Sequence, residues 1–394
     1  MPNPNVRFFE SPSKIAESHI NAKHDELGGD IGILGKVRRE TIMRRGGGAG
    51  GENGTPLKQC ADKHGFFKMY DHGYIYFSPA TGAHNLQGKI LEKWNSLHAD
   101  RGLLGYPIED VRNASDNIGQ FQRFQNGMIY WTPSTGAHEI HGTILEKWSD
   151  LGFERSWLGY PTNDEGDFSE GGRVSTFQNG DIYWWPDEGA IDLKEIRIDY
   201  TGLICFGETD EDQLSSADEP YVIMSIVSAE NITSSFSSKI YENVNGGDAV
   251  PDLIEIYRGK PNGVLLNITL MEHDLGDPNK YKDAITDTVR AAAGVAATTI
   301  GFLPVIGPVL AILAAPFLQA IVPEIANDIN NWLDLGDDNL GNCTLNITPK
   351  QMIHSAARMD NLIGKGVIGY KLETPIFSAQ GASYKAYFGF VTLR

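Results

Sequence analysis

The sequence predicts a mixed architecture: stacked strand–turn–helix repeats (α+β) over residues 1–195, then an antiparallel β-sandwich over 196–394 that carries an apolar helical hairpin. Three observations predict it. Several motifs recur at one common offset in the first half, and short apolar runs alternate with turn clusters in the second. Within the second half, the 33 residues from Ala291 to Pro323 hold no ionisable side chain. The 394 residues suffice for two or three domains. A hydrophobic share of 41% supplies packed cores and excludes wholesale disorder. The net charge of −18 argues against a nucleic-acid partner, which needs a basic face for phosphates, and suits a calcium ion or a polycation.

The repeat is read directly. Gly73-Tyr-Ile-Tyr-Phe77 recurs as Gly127-Met-Ile-Tyr-Trp131 and Gly180-Asp-Ile-Tyr-Trp184, and Thr81-Gly-Ala-His84 as Thr135-Gly-Ala-His138. Ile90-Leu-Glu-Lys-Trp94 recurs as Ile144-Leu-Glu-Lys-Trp148, and Leu104-Gly-Tyr-Pro107 as Leu158-Gly-Tyr-Pro161. The offset is 54 residues, slipping to 53 at the third copy. The Gly-x-Ile-Tyr-Trp stretch, β-branched and aromatic, predicts a strand. Thr-Gly-Ala-His predicts a turn, and Ile-Leu-Glu-Lys-Trp has the apolar spacing of a helix. Leu-Gly-Tyr-Pro is expected to end that helix, since Gly permits a left-handed cap and Pro blocks continuation. One such unit cannot bury both faces, so the copies are expected to stack. A degenerate copy at Leu34-Gly35 lies 70 residues before Leu104; the surplus is a basic, glycine-rich loop over 38–58.

These units resemble LGFP repeats, with Leu-Gly-Tyr-Pro in place of Leu-Gly-Phe-Pro, over about residues 15–192. The resemblance implies a module of envelope proteins in mycolic-acid bacteria, associated with anchoring to cell-wall polysaccharide, and so a polysaccharide or glycoconjugate partner. Candidate sugar-binding residues are Tyr76, Tyr130, Trp131, Tyr183 and Trp184, whose flat faces can stack on sugar rings, with His84 and His138 offering hydrogen bonds to hydroxyls. The bland alternative also holds: large aromatics dominate cores, neighbouring strand residues face opposite ways, and turn histidines commonly brace turns.

In the second half, apolar runs at Leu203–Phe206, Tyr221–Ile226, Leu253–Tyr257, Val264–Leu270, Cys343–Ile347, Val367–Leu372 and Ala386–Leu393 predict an antiparallel sandwich. Acidic clusters sit at strand ends: Asp210 and Asp212 with Asp218, then Glu272, Asp274 and Asp277 with Asp337 and Asp338. Calcium takes six to eight oxygens from such groups; solvated acidic loops are the bland reading. Asp212 stands six residues before Asp218 in Ser216-Ala-Asp-Glu-Pro-Tyr-Val222, and Leu270-Met-Glu-His-Asp274 is completed by Asp337-Asp-Asn-Leu-Gly341. This pattern resembles the calcium- and lipid-binding domain of protein kinase C and the synaptotagmins, which implies calcium as cofactor. The sequence departs from it in the extra Glu219, in Glu272 for an aspartate, and in an insert over 280–336. Prolines divide the chargeless stretch into segments too short for a straight membrane span of about 20 residues. It is expected to form a hairpin that either packs as core or inserts into a lipid surface through 291–323.

No hydrolase, phosphate-loop or metalloprotease motif is present. The expected function is non-enzymatic binding of glycan, calcium and, through the hairpin, membrane, in a lectin- or toxin-like defence role. The alternatives are a cell-wall glycan hydrolase using loop carboxylates, and a structural envelope protein. Cys60, Cys205 and Cys343 cannot build a disulfide framework. The polar N-terminus lacks the form of a signal peptide, so the expected location is the cytoplasm, or outside the cell by a leaderless route. No oligomeric state follows from the sequence.

Overall fold

A computed structural model of the chain describes residues 10–38, 57–209, 217–229, 233–273, 281–291 and 338–394. The described chain is mixed, with many antiparallel sheets and five helices. Its two compact units are Met1–Glu165 with Ser175–Ile182, and Gly166–Val174 with Tyr183–Arg394. No helix among the described residues is long and apolar enough to cross a membrane.

In the repeats, α1 (Pro12–Glu26) starts on Ser11, whose hydroxyl accepts the Lys14 amide, and on Pro12, whose fixed φ suits the first turn. Three four-stranded antiparallel meanders follow. The first comprises β1 (Lys58–Gln59), β2 (Phe66–Tyr70), β3 (Gly73–Ser78) and β4 (Gly82–Gln87), then α2 (Gly88–Ser96). The second comprises β5 (Arg112–Asn113), β6 (Gln120–Phe124), β7 (Gly127–Thr132) and β8 (Gly136–His141), then α3 (Gly142–Leu151). The third, of β9 (Gly166–Asp167), β10 (Arg173–Thr176), β11 (Asp181–Trp185) and β12 (Gly189–Leu193), runs on without a helix into β13 (Glu195–Gly207).

Two details differ from the expected unit. Only the threonine of Thr-Gly-Ala-His lies in the turn; Gly82 and Gly136 open the last strand of each meander. Leu-Gly-Tyr-Pro does not cap the helix, since α2 ends at Ser96 and the motif begins at Leu104. It instead grips the next meander. Amides of His72, Asn126 and Asn179 donate to the carbonyls of Leu34, Leu104 and Leu158, and Val37, Pro107 and Pro161 bridge to Tyr70, Phe124 and Phe177. The motif glycines Gly35, Gly105 and Gly159 have φ of +70°, +69° and +74°, where a side chain is strained. The degenerate copy therefore keeps the same geometry with Val37 in the proline's place.

The second unit holds two further large antiparallel sheets and a small two-stranded one of Asn361–Ile363 with Ile368–Tyr370. Its remaining strands are β14 (Pro220–Ser228), β15 (Thr233–Ser237), β16 (Ala249–Gly259), β17 (Val264–Glu272), β18 (Asp338–Ile347), β19 (Asn361–Ile363), β20 (Ile368–Tyr370), β21 (Leu372–Glu373), β22 (Phe377–Ala379) and β23 (Ala382–Leu393). One sheet has the order β16–β13–β23–β21, with β22 also on β23; the other has the order β15–β14–β17–β18. Inward residues of both share one apolar cluster, including Val222, Met224, Leu266, Ile268, Tyr384 and Phe388. In β13 the buried set reads Ile196, Ile198 and Tyr200, then Leu203 and Cys205. A register shift between Tyr200 and Gly202 changes its parity, as one extra residue must when side chains alternate. Strands β14 and β17 are buried at every position, hence on both faces. Residues 281–291 are helical (α4), with Tyr281, Ile285 and Val289 buried. The rest of the expected insert over 280–336 lies outside the described residues. Helix α5 (Pro349–Ala357) starts on a capping box between Thr348 and Gln351.

Candidate functional site

Each meander places its motif tyrosine in the core. Tyr76 stacks on Phe67 at 4.9 Å between ring centroids and meets the edge of Trp94 at 4.7 Å. Tyr130 stacks on Phe121 at 5.1 Å and meets Trp148 at 4.7 Å. Tyr183, 2% exposed, lies against Phe168 at 4.8 Å. The residue after each tyrosine faces the other way, as strand alternation requires. Phe77 is buried there, whereas Trp131 and Trp184 are half-buried. Trp131 packs against the core of the preceding meander, so its exposed remainder lies at a junction between copies.

The histidines stand at the same junctions. His84 Nε2 lies 2.8 Å from the Thr81 carbonyl, and His138 Nε2 lies 2.7 Å from that of Thr135, closing each turn. Their Nδ1 atoms face Asp110 and Asp164, each at 3.5 Å. Asp110 also accepts the Asn85 amide at 3.1 Å and Lys23 Nζ at 3.0 Å. Asp164 accepts the Glu139 amide at 3.2 Å and an ammonium hydrogen of Lys93. Burial opposes ionisation of both carboxyls, but the hydrogen bonds, led by the histidine in each case, outweigh it and hold each pKa down to about 2. Beside the second junction, His141 Nδ1 lies 2.7 Å from Glu139 and its Nε2 lies 3.5 Å from Glu165.

The tyrosine of Leu-Gly-Tyr-Pro braces the meander turn. Tyr106 and Tyr160 hydroxyls donate to Asp62 and Asp116, each at 2.7 Å. The rings approach Gly65 and Gly119 so closely that a Cβ at either position would fall within 2.7 Å of a ring carbon.

The sequence model of the LGFP repeat matches residues 47–102, 104–156 and 158–200. Residues 47–200 carry LGFP repeats. Two of the matches begin at Leu104 and Leu158, so Leu-Gly-Tyr-Pro opens a unit, in agreement with its grip on the meander that follows. Lys23, His84 and Asp110 accordingly come from three successive units, as do Lys93, His138 and Asp164. The comparison with curated proteins gave no match. The lysines and aspartates escaped sequence reasoning, although Lys23 and Lys93 sit at the same 70-residue offset as Leu34 and Leu104.

At the acidic end of the second unit, register places Pro220, Glu272 and Asp338 in one row across β14, β17 and β18. Asp218 is 2% exposed, and its oxygens already accept bonds. The Thr209 hydroxyl donates at 2.9 Å and the Thr209 amide at 3.0 Å, and the Tyr384 hydroxyl completes the set. Glu272, 6% exposed, accepts the Glu219 amide at 3.3 Å. Asp210, Asp212, Asp274, Asp277 and Asp337 lie outside the described residues, as does the side chain of Asp338. No group of three or more His, Cys, Asp or Glu suited to a metal ion occurs among the described residues.

Proposed function

We propose that the chain is a binding protein that holds a cell-wall or cell-surface polysaccharide through its LGFP repeats. The repeats at 47–200 carry this reading, because the resemblance that names them is to modules of cell-wall proteins. The junctions support it: copies joined by half-buried, hydrogen-bonded aspartates present a fixed surface, which suits a polymer with repeating units. Half-buried Trp131 and Trp184 remain the candidates for stacking. Tyr76, Tyr130 and Tyr183 then act as core, and His84 and His138 as junction braces.

In the same proposal the second unit is a sandwich of the calcium- and lipid-binding type. Calcium binds loops that leave the end of the sheet where Pro220, Glu272 and Asp338 stand in register. Asp218 supports those loops through Thr209 and Tyr384 instead of coordinating the ion. A glycan array with and without chelator, joined to calcium calorimetry, tests the proposal. Glycan retention with calcium heat supports both halves; silence in both experiments removes it. Liposome leakage under calcium titration decides the membrane element.

A further inference from the structure

We propose that the second LGFP unit seats one neutral sugar ring in the groove between the β6–β7 turn and α3. The inference rests on the glycan reading above and names the site within it. The groove has a volume of about 400 Å³, within the range of small-ligand sites, about 300–1,000 Å³. Half-buried Leu145 and Phe153 give it apolar surface, which suits the C–H face of a sugar ring. Asn126, Glu146 and Ser149 border it with amide, carboxylate and hydroxyl groups that suit the ring's hydroxyls. Glu146 has no ion-pair partner among the described residues. Arg123 is already paired with Glu109 at 3.5 Å, so the Glu146 carboxylate leaves the groove acidic and it favours a neutral sugar over an acidic one.

Phe153 and Arg123 supply one side. The Phe153 ring rests on Trp148, with centroids 5.4 Å apart, and the Arg123 guanidinium lies over it at 5.9 Å. Phe153 has φ of +55°, a region where bulky residues are rare. The equivalent positions in the preceding copies hold Ala99 at +52° and Gly29 at +58°. An aromatic kept where smaller residues fit the backbone better points to a use for its ring. The first unit has Met69 and Ala99 in place of Arg123 and Phe153, and no helix follows β12 in the third. The site is therefore single, with one ring held per chain, whereas the repeats number three.

The full chain is screened on a panel of soluble neutral oligosaccharides, and its best-retained member is titrated calorimetrically. The expected stoichiometry is one. Ser149→Trp, which fills the groove from an exposed helix face, is expected to weaken binding at least tenfold, and Arg123→Met several-fold. The control Asn95→Trp, at the equivalent place on α2, is expected to stay within twofold. Undiminished binding by Ser149→Trp and Arg123→Met, or equal loss in the control, overturns the groove while the glycan reading stands. A wild-type chain that retains no member of the panel overturns both.

Discussion

Replacing Asp110 with Asn isolates the charge at the first junction while keeping its shape and its bond from the Asn85 amide. Asp110 has a pKa of about 2 in the folded chain against an ordinary value of 3.8. That depression corresponds to about 2 kcal/mol of folded-state preference for the ionised form. With 27% of the side chain exposed, solvent screening trims this to about 1–2 kcal/mol. For a unit of this size the melting temperature falls by about 2–4 °C per kcal/mol, so Asp110→Asn is expected to melt about 2–8 °C lower at pH 7. The sign follows from the depressed value. The contribution is complete above the unfolded pKa, and it disappears as pH falls from about 3.8 through about 2. Scanning calorimetry of wild type and variant from pH 7 to pH 2 should show melting temperatures that converge at the acid end. A gap that persists undiminished at pH 2, or no gap at pH 7, refutes the charge-locked junction.

Other expectations follow from the same structure. Tyr160→Phe removes the hydroxyl that holds Asp116 and is expected to cost about 1 kcal/mol in a denaturant titration. Trp94→Ala empties a fully buried site and is expected to cost about 3–5 kcal/mol by the same measurement, whereas half-buried Trp184→Ala should cost much less. Asp218→Ala strands donors from Thr209 and Tyr384 and is expected to destabilise by about 1–3 kcal/mol for each buried donor left unpaired, equally with and without chelator. Burial pushes the thiols of Cys60 and Cys343 up to about 12 and raises that of Cys205 as well. None should react with a thiol reagent at pH 7.5 until denaturant is added, when all three should react.

The repeat was legible because identical motifs at one offset need no physical model to detect. Its internal anatomy was less so. Phe66–Tyr70 and Gln120–Phe124 carry Lys68 and Gln122 at inward positions, so these strands lack the apolar alternation that marked Gly73–Ser78. Lys68 is tolerable there because Glu17 and Asn21 of α1 receive its ammonium, and Gln122 because the Asn85 and Glu109 carbonyls receive its amide. All four partners lie 13 or more residues away in sequence. Leu-Gly-Tyr-Pro has the composition of a helix stop, yet its hydrogen bonds run forward to the next meander, which no local propensity reveals. The degenerate copy is recognisable in space for a related reason: His24 stands at the place of Trp94 and approaches the Gly35 carbonyl at 2.9 Å, as the Trp94 indole approaches Gly105 at 3.0 Å. At the acidic end, charge pattern located the loops, but only strand register brought Glu272 and Asp338 into one row. That Asp218 spends its oxygens on Thr209 and Tyr384 depends on a residue 166 positions away.

The LGFP repeats are proposed to hold polysaccharide. The most direct test is retention of the full chain on immobilised cell-wall polysaccharide, with and without calcium chelator. Retention is expected to survive chelation, because the LGFP units and not the acidic loops carry it. Failure to bind with or without the chelator, or binding abolished by chelation, would contradict that proposal.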